Sequence, residues 1–568
     1  MYLRKLSVLV LLAVLLSGCT EASAAQESFT RRDLDSSYTD VAGSITLAGN
    51  AIETDAPGVN VSGTTATITK AGTYLLSGSL KDGQIVVNAA KTDKIQLVLQ
   101  GVHLTCQSSA AIEIQQADKV FLTLEQENTL RSEAFPSEPE RNVDAVIFSK
   151  EDLTLNGTGS LIVDSPAGHG IVSKDDLVIT GGSYQITAAS HALSGKDSVR
   201  IADGSFTLTA EKDGIHAENS DDAALGNVTI SGGSFAITTQ GDGISASGDL
   251  EVTGGDYTIS AGGGSENAAT HSVSFQGERG GMREKGAGGF GRKDAPPSAV
   301  SSATVQADSA STKGIRAGGN LTISGGSFVI DAADDALHTN ASAVISGGSF
   351  QISTGDDGIH ADDTLTVEGG KIAISQSYEG LEALHLNISG GDITLTATDD
   401  GLNAAGGMDQ SGFGGRDGRF GGQGTSSGSI VISGGKLHIT ASGDGIDANG
   451  SLEISGGETT VCGPIQGDTS TLDYDTTATI TGGTFLGSGA ATMAQTFSSS
   501  QNQGVLALQT GNASAGTAIT VTDSQGKTLL QYTPELPFAV LIFSNSSIQK
   551  GATYTVQIGS QSANVQAR

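Results

Sequence analysis

The sequence predicts an all-β protein, a right-handed parallel β-helix of about 22 residues per coil, with an N-terminal cap and a small antiparallel β cap at the C-terminus. Three observations lead there. Gly-Gly pairs recur at Gly325, Gly347, Gly369 and Gly390, and a fixed period of roughly 20 to 50 residues marks stacked repeats. Short runs between them alternate apolar and polar, as in Ile359-His360-Ala361, Leu365-Thr366-Val367 and Phe350-Gln351-Ile352-Ser353, which is strand periodicity. Glycine makes up 80 of 568 residues, and the apolar spacing of two rather than 3.6 removes the helical alternative. Three strands fill each repeat. No coil buries its apolar stripe alone, so coils stack about 4.8 Å apart, right-handed for the same reason that parallel crossovers are.

Stacking puts one phrase of each repeat into columns. The residue before the corner Gly reads Asp213, Asp242, Lys313, Asp335, Asp357, Glu379, Asp400 and Asp444 along the chain. Two positions after that Gly, a second outward column reads His216, Ser245, Arg316, His338, His360, Glu382, Asn403 and Asp447. Like charges about 5 Å apart repel by roughly 1 kcal/mol in water and about 3 at an effective dielectric of 20. Cations or protons must sit between them. Calcium takes six to eight oxygen ligands at about 2.4 Å, so Ca²⁺ is the expected cofactor. Its candidate ligands are Asp213, Asp242, Asp334, Asp335, Asp356, Asp357, Glu379, Glu382, Asp399, Asp400, Asp444 and Asp447. Asp-Gly is also an ordinary turn dipeptide, which accounts for Asp357 and Asp444 but not for the extra acids Asp334, Asp356 and Asp399.

Taken in order, the chain opens with Arg4 and Lys5 before the apolar run Leu6 to Leu16, shaped like a signal peptide over 1–18. Leu16-Ser17-Gly18-Cys19 resembles the lipobox of bacterial lipoproteins, which implies lipidation at Cys19 and an anchored, extracytoplasmic protein. Residues 19–50, rich in Ser, Thr and Ala, read as a tether, and 51–143 as the N-terminal cap with the first coils. The β-helix proper is expected over 144–490, interrupted by Gly-rich insertions at 262–311 and 405–428, read as surface loops. Alternating runs after 490 read as the antiparallel cap, 491–568.

Several strings resemble the clostridial carbohydrate-binding β-helix proteins: Ile68 to Val87, Lys94 to Gly101, Ala145 to Leu153, Lys212 to His216, and the closing Leu541 to Asn545 and Gly551 to Val556. The resemblance covers nearly everything after residue 45. It implies a β-helix with the shape of pectate lyases that binds Ca²⁺ and plant-type polysaccharides such as cellulose and polygalacturonate, as a binder and not an established enzyme. The chain departs from the family's Asp-Gly-Ile corner at His169, His191 and Lys313, so acidic ligands are missing there and no metal of any kind is expected at those corners.

The formal net charge of −32 argues against nucleic acid or an anionic membrane surface as partner. An acidic glycan then requires a divalent ion between carboxylates. There is no Trp, so flat aromatic platforms for crystalline cellulose are poorly supplied, which favours uronic-acid ligands. Cys106 and Cys462 fall in distant coils and are expected as buried thiols. The functional reading is a monomeric, calcium-dependent, polysaccharide-binding surface lipoprotein without catalytic residues. The alternatives are a calcium-dependent lyase using Lys313 or Arg316 as base and a structural adhesin. A hydrolase pairing Asp356 and Asp357 with His169 fails, because those residues lie many coils apart.

Overall fold

The computed structural model describes residues 28–137, 142–268, 311–405, 428–465, 467 and 469–568. The signal peptide, Cys19 and most of the two Gly-rich insertions (269–310 and 406–427) lie outside them. The chain forms a parallel β-helix. Its coils each contribute three strands, and like strands stack in parallel register along the molecule. In one coil these are Ile315–Ala317, Leu321–Ile323 and Ser327–Ala332. The next coil repeats them as Leu337–Thr339, Ala343–Ile345 and Ser349–Thr354.

The third strand of each coil shows why the sequence folds this way. Ser205–Ala210 alternates exposed and buried at every residue, and so do Ser234–Thr239 and Ser327–Ala332. Inward residues pair with their own kind: Ile186, Leu208, Ile237, Ile259, Ile330 and Ile352 form one column. Beside it runs a stack of rings, Tyr184, Phe206, Phe235, Tyr257, Phe328 and Phe350, with centroids 4.6–5.0 Å apart and nearly parallel planes. The stack ends where Ile372 follows Phe350. Each ring contact adds about 0.5–1.5 kcal/mol beyond area burial.

One glycine position per coil is required by its backbone conformation, and a second is favoured at the corner. Gly326 sits at φ +106°, and a Cβ there would meet the Phe328 ring at 3.0 Å. At the corner, a Cβ on Gly358 would lie 2.5 Å from the Gly380 carbonyl oxygen of the next coil. Gly is favoured where neighbouring corners approach this closely, and the small Ala192 and Ala336 replace it in the coils that bond to Asp213 and Asp357.

The N-terminal boundary differs from expectation. Residues 28–49 of the expected tether are docked structure. Val41–Gly49 is a strand paired in parallel with Gly72–Leu80. Upstream of it, Asp33 is fully buried, paired with Lys119 Nζ at 2.8 Å and accepting a hydrogen bond from Thr154 Oγ1 at 2.7 Å. Burial raises the Asp33 carboxyl, but Lys119, Thr30 and Thr154 outweigh it and hold it at about 2. A polar segment thus buries by satisfying one carboxylate on several coils at once. At the other end Thr484–Gly489, the last strand of its column, pairs antiparallel with Phe538–Ser544. A four-stranded antiparallel sheet of Ile519–Thr522, Thr528–Tyr532, Thr553–Ile558 and Gln561–Gln566 completes that end. Cys106 and Cys462 are both buried free thiols.

Candidate functional site

The corner columns carry the chemistry. Backbone bonds fix the register: the Gly214, Gly243, Gly314, Ala336, Gly358, Gly380 and Gly401 amides donate to the carbonyls of Asp242, Lys313, Asp335, Asp357, Glu379, Asp400 and Asp444. Corner acids also accept the next coil's amide on one side-chain oxygen. The Asp242 amide donates to Asp213 Oδ1 at 2.9 Å, Lys313 to Asp242 at 2.8 Å, Asp357 to Asp335 at 2.9 Å, Glu379 to Asp357 at 3.3 Å and Asp444 to Asp400 at 2.6 Å. An Asp at this turn is therefore a rung of the backbone ladder before it is anything else. His169 and His191 fill the same place, their Nδ1 atoms 3.3 and 3.2 Å from the amides of His191 and Asp213.

The second column runs in register from His216 through Ser245, Arg316, His338, His360, Glu382 and Asn403 to Asp447. Its side chains are largely covered: His338 and His360 are only 1% and 2% exposed. In three coils the corner carboxylate turns its other oxygen to the histidine three residues on. Asp213 Oδ2 meets His216 Nδ1 at 2.7 Å, Asp335 meets His338 at 2.8 Å and Asp357 meets His360 at 3.2 Å.

The ladder divides by how its charge is balanced. From His169 to Asp335 it holds its own counter-charges. Asp213 Oδ2 lies between His191 Nδ1, at 3.2 Å, and His216 Nδ1. Burial raises the Asp213 carboxyl, but those two imidazoles override it and hold it well below the carboxylate range. Lys313, 2% exposed, reaches one coil on to Asp335 at 2.8 Å and Asp334 at 3.0 Å. Burial again raises Asp335, and the Lys313 ammonium and His338 hold it far below normal. Asp242 accepts from Ser311 Oγ at 2.7 Å, and burial together with Asp213 raises its carboxyl.

From Asp357 onward, acids outnumber cations. His360 faces three carboxylates: Glu382 at 2.8 Å, Asp362 at 3.1 Å and Asp357 at 3.2 Å. Burial lowers that imidazole, but the three acids raise it well above its ordinary value, so it is an imidazolium. Glu379 is pushed up by burial, then by Glu382 and Asp400. Asp400 is raised to about 9 by burial and by Asp399, Asp444 and Asp447. Asp444 is raised to about 7 by burial and its acidic neighbours, and Asp447 to about 6 by burial, Asp473 and Asp475. Among the described residues no ion pair reaches Asp400, Asp444 or Asp447.

The candidate ligands fall into groups accordingly. Asp400, Asp444 and Asp447 bring one ligand atom each within 4.8 Å of the others. Asp334, Asp335 and Asp356 do the same, with Lys313 at two of them. Asp357 and Glu382 meet around His360. Asp213 joins His191 and His216 instead of Asp242. Glu379 accepts from Asn403 Nδ2 at 2.7 Å, and Asp399 raises Asp400 from the adjoining position. Sequence reasoning passed over His169 and His191 as places where an acid was missing. The signal was their position in the corner column, where a side chain reaches the next coil.

A parallel β-helix is a rigid scaffold, and this one carries a largely covered ladder of titratable side chains at its corners. The chain belongs to the carbohydrate-binding domain-containing protein family, whose model matches residues 62–358. A relative from Acetivibrio thermocellus, itself described as a carbohydrate-binding domain-containing protein, is 35% identical over 189 residues. That match covers 32% of this chain and 64% of the relative, just under two thirds of its length. A solved structure of a polysaccharide lyase-like protein from C. thermocellum, a gadolinium derivative, is 35% identical. It covers 39% of this chain and 92% of that one, at a TM-score of 0.38.

Proposed function

We propose that the chain is a cell-surface lipoprotein that binds polysaccharide in a calcium-dependent manner, with acidic or plant cell-wall glycans as ligands, and that it is a binder and not an enzyme. Family membership supports the carbohydrate. The observation that carries the calcium dependence is the crowding of Glu379, Asp400, Asp444 and Asp447, each raised by burial and by its neighbours. Their donor set is oxygen throughout and suits a hard divalent cation. Asp400, Asp444 and Asp447 would hold the ion, with Glu379 and Asp399 beside them. Bound there, calcium supplies charge neutralisation and open coordination positions for a sugar carboxylate. The chain's own part is rigidity: the Asp444 amide holds Asp400 Oδ1 at 2.6 Å, so the carboxylates are positioned before anything binds.

Lys313 supports the binder reading over the lyase. A base must reach a proton on a bound sugar, and this ammonium is 2% exposed and paired with Asp334 and Asp335.

Affinity electrophoresis of the mature chain through polygalacturonate and neutral-glycan gels tests the reading. Retardation by polygalacturonate in calcium, abolished by EDTA and by Asp400→Asn with Asp444→Asn, is expected. Equal retardation in EDTA removes the calcium dependence. Mobility unchanged in every glycan removes the carbohydrate function.

A further inference from the structure

The other half of the ladder holds a cluster of different chemistry. His191, Asp213 and His216 bring one ligand atom each within 4.8 Å of the others. Asp213 Oδ2 is the centre, 3.2 Å from His191 Nδ1 and 2.7 Å from His216 Nδ1. The side chains are 12%, 13% and 17% exposed, sheltered but open to solvent. His191 and His216 border a groove of about 530 Å³ that His169, Lys174, Ser194 and Lys196 also line. The His191 ring lies 4.0 Å from that of His216 and 5.1 Å from that of His169, so three imidazoles follow one another into the groove.

The corner position does not itself call for histidine. Asp at Asp213, Asp335, Asp357 and Asp400 accepts the next coil's amide at 2.6–3.3 Å, and the His169 and His191 rings do so at 3.3 and 3.2 Å. The substitution keeps the rung and gathers nitrogen ligands. It also changes which ion fits: two imidazoles and one carboxylate suit borderline divalent ions such as Zn²⁺ and disfavour calcium.

We propose that His191, Asp213 and His216 form a binding site for a borderline transition-metal ion, of the Zn²⁺ class, whose remaining coordination positions face the groove. Zinc–nitrogen bonds of about 2.0–2.1 Å place two ligand atoms of one tetrahedral ion roughly 3.3 Å apart, which matches the 3.2 Å from Asp213 Oδ2 to His191 Nδ1 and requires the 2.7 Å contact with His216 Nδ1 to open. The ion takes the place of the proton between that oxygen and the imidazoles. The contact it gives up is the 3.2 Å approach of the Asp213 amide to His191 Nδ1. The site is separate from the carboxylate cluster and does not depend on the glycan or calcium reading.

The test is calorimetric titration of the mature, metal-stripped chain with Zn²⁺ in saturating calcium, with Co²⁺ absorption as a second readout. His216→Ser copies Ser245 from the next coil of the same column, and His191→Asn keeps an amide acceptor at the corner, so both variants preserve the ladder. One zinc per chain is expected, with visible Co²⁺ bands of a nitrogen–oxygen site. Roughly tenfold weaker binding in each single variant and loss in the double variant are expected. Stoichiometric zinc binding that the double variant retains, or none in the wild type, overturns the proposal. Circular dichroism melts of the variants separate lost ligation from lost folding.

Discussion

Two stretches of one ladder, built from the same turn, solve the same electrostatic problem in opposite ways. From His169 to Asp335 the chain places an imidazole or ammonium against Asp213, Asp334 and Asp335, with Asp242 the exception, and Asp213 and Asp335 are driven well below the ordinary range. From Asp357 to Asp473 it stacks acid on acid, and Asp400, Asp444 and Asp447 are driven up. Core composition changes near the same place. Aromatic rings stack from Tyr184 to Phe350, and then Ile372, Ile393 and Leu437 continue the column. A backbone that repeats faithfully therefore leaves ionic function free to vary coil by coil, because each rung's hydrogen bonds are met whichever side chain carries the charge.

The sharpest way to break that contrast is to remove the internal cation. Lys313→Met leaves Asp334 and Asp335 buried without the ammonium, and stability falls by about 3–5 kcal/mol in urea unfolding. Added calcium recovers part of the loss, because the substitution turns this coil into one of the second kind. A variant as stable as the parent would show that Lys313 does not balance these acids.

The second stretch is tested by pH. Asp400, Asp444 and Asp447 titrate at about 9, 7 and 6 in the folded chain against about 3.9 when unfolded. The folded state binds more protons across that window, so its contribution to stability is full below about pH 4 and is lost as pH rises through 6 to 9. In EDTA the melting temperature therefore falls from pH 5 to pH 9. In calcium the fall flattens. Parallel curves with and without calcium would count against an ion at these acids.

Asp400→Asn keeps an oxygen for the Asp444 amide and deletes one charge. It should stabilise the calcium-free protein by about 1 kcal/mol and shrink the rise in melting temperature that calcium produces. The smallest effect belongs to the core. Phe235→Leu interrupts the ring stack and costs about 1 kcal/mol, equally with and without calcium. A calcium-dependent cost there would couple core and ladder.

Much of this was legible in the repeat. Spacing alone put His216, Ser245, Arg316, His338, His360, Glu382, Asn403 and Asp447 in one column, and the strand pairing has them in that order. The carboxylates gathered by Asp400, Asp444 and Asp447 follow from the same spacing. The docked segment around Asp33 was not legible, because its partners Lys119 and Thr154 are 86 and 121 positions away with no period to point at them. Nor was the role of His191, which reads as a missing acid until its ring is seen beside Asp213.

The sequence by itself determined the coil, since period-two alternation and a recurring Gly-Gly turn admit one way of burying the apolar stripe, by stacking. Tertiary structure alone decided the charge balance. A side chain's reach along the stack, such as Lys313 Nζ to Asp335 one coil on, depends on direction and burial. Periodicity records neither.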